Sequence, residues 1–106
     1  MLKPLPEILE YFLSDCLEGN KNYTTKRMFS GYGVFFRGKI FAIYAMERLY
    51  FKVWEQNKQD FIDAGSRIFS YQKQGKEAHI SYYTLPEELL ENKTELQIWI
   101  EKALDY

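Results

Sequence analysis

The sequence predicts an α+β fold in two layers, with helices packed on one face of a mostly antiparallel sheet. Strand-like runs come in two blocks joined by tight turns, and apolar residues at helical spacing flank both blocks. The element order is α-β-β-β-α-β-β-α, which gives a five-stranded sheet. A chain of 106 residues is long enough for one core only, so we expect a single domain over residues 1–106.

The first predicted element is an amphipathic helix. From Leu5 to Cys16 the apolar residues recur at helical spacing, which places them on one stripe. Gly19 and Asn20 end this helix because both tolerate a left-handed cap, and residues 21–25 are expected to form a polar connector. Cys16 is the only cysteine and lies on the apolar stripe, which predicts a small buried side chain rather than a reactive thiol.

Three strand-like runs follow between residues 31 and 53, with turns at Arg37-Gly38 and at 45–48. Regular alternation would divide the second and third runs into two faces. The candidate core face consists of Phe41, Ile43, Leu49, Phe51 and Val53. The opposite face consists of Ile40, Tyr44, Tyr50 and Lys52.

The next segment predicts a short helix followed by a second hairpin. Residues 56–64 form the helix, and residues 68–72 and 78–83 pair through a turn at Gln74-Gly75. A helical turn then opens at Pro86, where Thr84 and Glu87 have the spacing of a capping box.

The last predicted element is a helix that begins at Asn92, with Glu95 completing a second capping pattern. Its apolar stripe contains Trp99. We expect both Trp99 and Phe51 to be buried in the core.

Residues suited to catalysis or metal binding are sparse. His79 is the only histidine, and its place in a strand predicts a solvent-facing side chain rather than a catalytic base. The Gly31-Tyr32-Gly33 segment leads into a strand rather than a helix, which favours a bulge or a close backbone approach over a phosphate-binding loop. The sequence therefore predicts no enzymatic activity and no cofactor.

A small group of basic and aromatic residues is a weak candidate for binding single-stranded nucleic acid. It consists of Lys26, Arg27, Phe29 and Tyr32. The formal net charge of −1 lacks the basic excess that phosphate binding requires, so a solvated strand rim is the favoured alternative. We expect no direct binding of nucleic acid by this chain alone.

The face opposite the candidate core is the stronger candidate for an interaction surface. Ile40, Tyr44 and Tyr50 would leave apolar surface on a side of the sheet that is usually polar. This surface would form a homodimer or bind a protein partner, while partial cover by a helix or the N-terminal arm is an equal alternative. No segment approaches the ~20 apolar residues of a membrane span, and we expect a cytoplasmic protein.

Ordered motifs run across residues 24–105 in two sets. The first block consists of Arg27, Met28, Phe29, Gly31, Tyr32, Gly33, Gly38, Lys39, Phe41, Ala42, Leu49, Tyr50, Lys52 and Val53. The later matches are Gly65, Phe69, Tyr71, Gly75, Lys76, Ser81, Tyr82, Tyr83, Pro86, Glu87, Leu96 and Trp99. Together these motifs resemble the TfoX (Sxy) N-terminal domain family. Ser30 and Phe51 stand where that family commonly has glycine and leucine.

The resemblance implies a fold similar to that of small secretion chaperones. It also implies transcription regulation of competence genes, in which longer family members act with the cyclic-AMP receptor protein. Those members carry a second helical domain, so the resemblance concerns their first half. The implied partner is a protein of the transcription machinery or a regulator, and a dimeric chaperone or adaptor is the alternative. The family implies no catalytic residues.

Overall fold

The computed structural model describes residues 5–28 and 31–106. Helix α1 (Glu7–Tyr11) continues as a π-helical turn over Phe12–Cys16. The strands are β1 (Tyr23–Met28), β2 (Gly31–Phe36), β3 (Lys39–Ala45), β4 (Arg48–Lys52), β5 (Ile68–Lys73) and β6 (Lys76–Thr84). Helix α2 (Lys58–Asp63) lies between β4 and β5, and a 3₁₀ turn (Glu87–Glu91) precedes helix α3 (Lys93–Leu104).

The strands form one antiparallel sheet of six strands in the order β1-β2-β3-β4-β6-β5. The predicted α+β class is confirmed, with one strand more than expected. Part of the predicted connector belongs to β1, which pairs with β2 from Tyr23 opposite Phe36 to Met28 opposite Gly31. The β-branched Thr24 and Thr25 suit a strand, but β1 has no apolar alternation that would reveal it in the sequence.

Helix α3 packs against β3 and β4 on one side of the sheet, which we call the helix side. The rings of Phe41 and Phe51 meet edge to face there, with centroids 5.4 Å apart. Phe51 is fully buried, as predicted, but Trp99 is only half-buried, with its ring centroid 4.7 Å from that of Phe61. The expectation for Trp99 is therefore wrong in part, because its ring lies at the margin of the core.

A β-bulge in β3 changes which side chains face the core. Val34 lies opposite Ala42, whereas Phe35 lies opposite Ile40, so Phe41 is an extra residue on β3. Phe41 and Ala42 are both fully buried in the core cluster. Every later side chain of β3 therefore points to the side of the sheet opposite to the one that regular alternation predicts. The predicted alternation is consequently wrong for Ile43 and Tyr44.

Within the described residues, three two-residue loops join neighbouring strands, and both residues of each of these loops have positive φ. The φ angles are 49° and 84° at Arg37-Gly38, 50° and 63° at Met46-Glu47, and 52° and 78° at Gln74-Gly75. This backbone conformation suits the right-handed twist of the flanking strands. Two of these loops have glycine in second place, whereas Met46-Glu47 has none.

The two predicted helix caps have different outcomes. The side chain of Asn92 accepts a hydrogen bond from the backbone N–H of Glu95 at 3.1 Å, which confirms the start of α3. The hydroxyl of Thr84 instead accepts from the backbone N–H of Arg67 at 3.0 Å, and the Glu87–Glu91 turn has no side-chain cap. The Thr84 hydroxyl therefore bonds to the backbone that leads into β5, and it does not cap the Glu87–Glu91 turn.

In the part of the chain that the structure describes, no helix has the length and apolar character needed to cross a membrane.

Candidate interaction surface

The sheet side away from the helices, which we call the open face, carries a continuous apolar layer. Ile43 lies directly opposite Tyr50, and Phe69 lies directly opposite Ile80, so the two members of each pair point to the same side. The rings of Tyr50 and Phe69 are in contact, which places both pairs on one side of the sheet. The apolar members of the open face are Met28, Phe35, Ile40, Ile43, Ala45, Tyr50, Phe69, Tyr71, Ala78, Ile80 and Tyr82. None of these belongs to the core cluster on the helix side.

The open face is concave. Met28 of β1 and Phe69 of β5 line the same cavity, which has a volume of about 290 Å³, although their strands form opposite edges of the sheet. In a flat sheet these edges would lie about 24 Å apart, given a strand spacing of about 4.8 Å. The sheet must therefore curl to bring the two edges together, and the lining of the cavity is almost wholly apolar.

Two glycines permit this close packing. A β-carbon on Gly31 would lie 1.9 Å from the carbonyl oxygen of Tyr44, and one on Gly33 would lie 2.4 Å from the sulfur of Met28. The expected close backbone approach is confirmed. The missing side chain of Gly31 lets the backbone of β3 pack close to β2. The missing side chain of Gly33 leaves space for the Met28 side chain on the open face.

The three residues predicted as an interaction surface do not lie on one side. Ile40 and Tyr50 lie on the open face, but Tyr44 lies opposite Leu49 and packs against the core on the helix side. The bulge at Phe41 is the reason for this error. Tyr50 is only 6% exposed because the ring of Phe69 stands edge-on against it at 5.1 Å. The role of Ile40 and Tyr50 in association stays a prediction.

Other residues supply the accessible part of the open face. Tyr71 is 38% exposed and Met46, at the tip of the β3–β4 loop, is 59% exposed, and both line the cavity with Ile43 and Ile80. Regular alternation along β5 and β6 would have been enough to predict from the sequence that Phe69, Tyr71 and Ile80 share one side of the sheet. The side that Ile43 faces could not be predicted in this way, because it depends on the bulge at Phe41.

The predicted basic and aromatic group is divided between the two sides of the sheet. Lys26 pairs with Gly33 on the open face, whereas Arg27 pairs with Tyr32 on the helix side. The guanidinium carbon of Arg27 lies 5.8 Å from the centroid of the Tyr32 ring. Phe29 lies outside the described residues. These side chains therefore do not form the single patch that the sequence suggested.

The charged side chains on the open face are all basic among the described strand residues. The five are Lys26, Arg48, Lys52, Lys73 and Lys76. Glu77, the one acidic residue in the described strands, pairs with Gln72 on the other side and lies 3.2 Å from the exposed His79. The chain has 15 acidic and 14 basic residues, so the open face is basic although the whole chain is not.

The end of the open face farthest from the cavity is occupied by Tyr106. Its hydroxyl donates a hydrogen bond to the carbonyl oxygen of Ile40 at 2.8 Å, and its ring centroid lies 4.2 Å from Lys39 Nζ and 4.7 Å from Lys52 Nζ. Burial, with a smaller contribution from Tyr106, raises the pKa of Tyr82 to about 12. Of the exposed large hydrophobic residues named on this face, Met46 and Tyr71 line the cavity and Tyr106 lies at the opposite end.

Cys16 is 6% exposed, and its thiol donates a hydrogen bond to the carbonyl oxygen of Leu90 at 3.3 Å. Burial is the main reason that the pKa of this thiol is raised. The raised pKa disfavours the nucleophilic thiolate. The prediction of a buried, unreactive side chain agrees with this geometry.

Comparison with protein families matches residues 15–106 to the TfoX N-terminal domain. Comparison with curated proteins gave no match. The family match covers nearly the whole chain and agrees with the α+β fold of an antiparallel sheet and helices. The chain therefore belongs to the TfoX N-terminal domain family.

Proposed function

We propose that this TfoX N-terminal domain is a non-enzymatic regulator that acts through protein–protein contacts on its open face. The observation that carries the proposal is the concave apolar cavity of about 290 Å³, lined by side chains from both edges of the sheet. Leaving such a surface in water is unfavourable by roughly 25 cal/mol per Å² of apolar area that a partner would bury. Apolar patches of this kind commonly serve association.

Family membership supports a role in transcription regulation, with competence genes as the targets that the resemblance implies. We propose that the protein works in the cytoplasm, where it would contact the transcription machinery or one of its regulators. The exposed large hydrophobic residues that line the cavity of this surface are Met46 and Tyr71.

A dimeric chaperone or adaptor is the second candidate, and the apolar character of the same cavity is the observation that favours it. A two-fold interface would place the open face against its own copy. That arrangement would bring Lys26, Arg48 and Lys73 toward the same basic residues of the second copy. Like charges at an interface are unfavourable, so we favour a different protein as the partner.

Affinity purification followed by crosslinking and mass spectrometry tests the proposal. Tyr71→Ser removes an exposed aromatic side chain from the open face, and Ile98→Ser is a matched control because Ile98 is 44% exposed on α3. The proposal expects transcription proteins to be recovered by the wild type and by Ile98→Ser, but lost with Tyr71→Ser. Recovery of diverse unfolded clients would favour the chaperone, and a loss with Ile98→Ser alone would contradict the assignment of the open face.

A further inference from the structure

The chemistry of the open face restricts the kind of partner it can bind. The cavity is lined by Met28, Ile43, Phe69 and Ile80, and its volume of about 290 Å³ is at the lower end for ligand pockets. A space of this size admits one or two apolar side chains rather than the surface of a folded domain. The methionines add flexible, polarizable side chains that adapt to different anchors.

Basic side chains lie around this cavity. Lys26 precedes Met28 by two residues on β1, Lys73 follows Tyr71 by two residues on β5, and Lys76 precedes Ala78 by two residues on β6. Residues two apart on a strand point to the same side, about 7 Å from each other. The salt bridges among the described residues lie elsewhere, at Glu77–His79, Glu18–Lys93 and Asp60–Lys102. The basic rim is therefore available to an acidic partner.

We infer that the open face binds an acidic amphipathic segment of a partner protein. An apolar side chain of that segment enters the cavity beside Ile43 and Phe69, and flanking carboxylates meet Lys26, Lys73 and Lys76. This inference rests on the proposed function and adds the chemical class of the partner. Electrostatic complementarity selects the acidic flanks, while burial of the anchor supplies most of the affinity.

Single-stranded nucleic acid is the competing ligand, because a basic rim and aromatic side chains also suit it. The apolar lining of the cavity distinguishes a peptide from a nucleic acid. A nucleobase carries hydrogen-bonding groups on its edges, and these would be buried without partners against Ile43, Phe69 and Ile80. A leucine or phenylalanine side chain loses no hydrogen bond there, so the lining favours a peptide.

Selection from a displayed library of random short peptides tests this inference without knowledge of the natural partner. The wild-type protein should enrich peptides with an apolar anchor between aspartate and glutamate residues. Lys73→Glu combined with Lys76→Glu should weaken binding of those peptides about tenfold, and selection on this variant should shift toward lysine and arginine flanks. Lys58→Glu on α2 reverses one charge on the helix side and is the control for Lys73→Glu alone.

Enrichment of neutral or basic peptides, no enrichment at all, or an acidic preference that survives the double charge reversal would each overturn the inference. Displacement of the selected peptides by oligothymidylate at lower concentration than by unlabelled peptide would instead assign the face to nucleic acid. The affinity purification with Tyr71→Ser tests the proposed function independently of the partner's acidic character. A natural partner that needs Tyr71 but tolerates both charge reversals would leave the proposed function standing and refute its acidic chemistry.

Discussion

The ring of Phe69 stands nearly perpendicular to that of Tyr50, with an interplanar angle of 81° and centroids 5.1 Å apart. Phe69 lies on edge strand β5, and Tyr50 lies on β4, with β6 between them. The contact crosses a strand and covers Tyr50 on the open face, away from the described helices. The open face thus has packed aromatic contacts of its own, separate from the core on the helix side.

The first prediction concerns this aromatic pair. Edge-to-face pairs contribute about 1 kcal/mol beyond the area they bury. A double-mutant cycle with Tyr50→Leu and Phe69→Leu, followed by urea unfolding, should therefore give a coupling energy of about 1 kcal/mol. Additive effects of the two substitutions would mean that the rings do not stabilise one another.

The second prediction concerns the strained loop at the rim of the cavity. Met46 and Glu47 have φ angles of 50° and 63°, a region that costs most residues about 1–2 kcal/mol each. Asparagine followed by glycine adopts this turn with little strain. The double substitution of Met46→Asn with Glu47→Gly should therefore stabilise the fold by about 1–2 kcal/mol in urea unfolding.

Arg37→Asn is the control for that loop, because Gly38 already occupies the second position there and the gain should be smaller. If Met46 serves binding, the stabilised loop variant should also bind the partner more weakly. A loop variant no more stable than the wild type would show that this turn stores no strain.

The third prediction separates the two glycines of β2. Gly31→Ala places a β-carbon against the backbone of Tyr44, which cannot move without disturbing β3, so the cost should be about 3 kcal/mol. Gly33→Ala meets the end of the flexible Met28 side chain, and its cost should be about 1 kcal/mol. Thermal unfolding of the two variants provides the comparison, and equal losses would contradict this account of the close approach.

The fourth prediction concerns alkaline pH. The folded-state pKa of Tyr82 is about 12, compared with an ordinary value of 10.0, so folding favours the neutral phenol. Its stabilising contribution is complete below pH 10 and is lost as the pH rises toward 12. Tyr82→Phe should therefore flatten the fall in stability over this range, as measured by urea unfolding. An unchanged pH profile in Tyr82→Phe would assign the alkaline loss to other groups.

Sequence patterns predicted the elements of this fold well, because helix stripes and two-residue turns are local features. The missed strand β1 forms at the sheet edge through pairing with β2, and its mostly polar sequence shows no apolar alternation. The candidate site was predicted less well, because one extra residue at Phe41 reverses the sides of Ile43 and Tyr44. A bulge is decided by pairing across strands, which alternation within one strand does not reveal.

The curl of the sheet was equally inaccessible from local patterns. Met28 and Phe69 are far apart in sequence and occupy opposite edges, yet they line one cavity. Close approach of β2 and β3 at Gly31 contributes to this shape. The sequence did identify that glycine as a site of close approach, although not the cavity that results.

The most direct test of the open face is a titration of the isotope-labelled protein with anilinonaphthalene sulfonate, an apolar aromatic anion, followed by amide chemical shifts. Our account predicts saturable shifts at Ile43, Phe69 and Ile80 that weaken in the variant with Lys73→Glu and Lys76→Glu. Amides around Ile98 on α3 should be unaffected. Shifts confined to the helix side, or binding that is insensitive to the two charge reversals, would contradict the assignment of a basic, apolar binding surface to the open face.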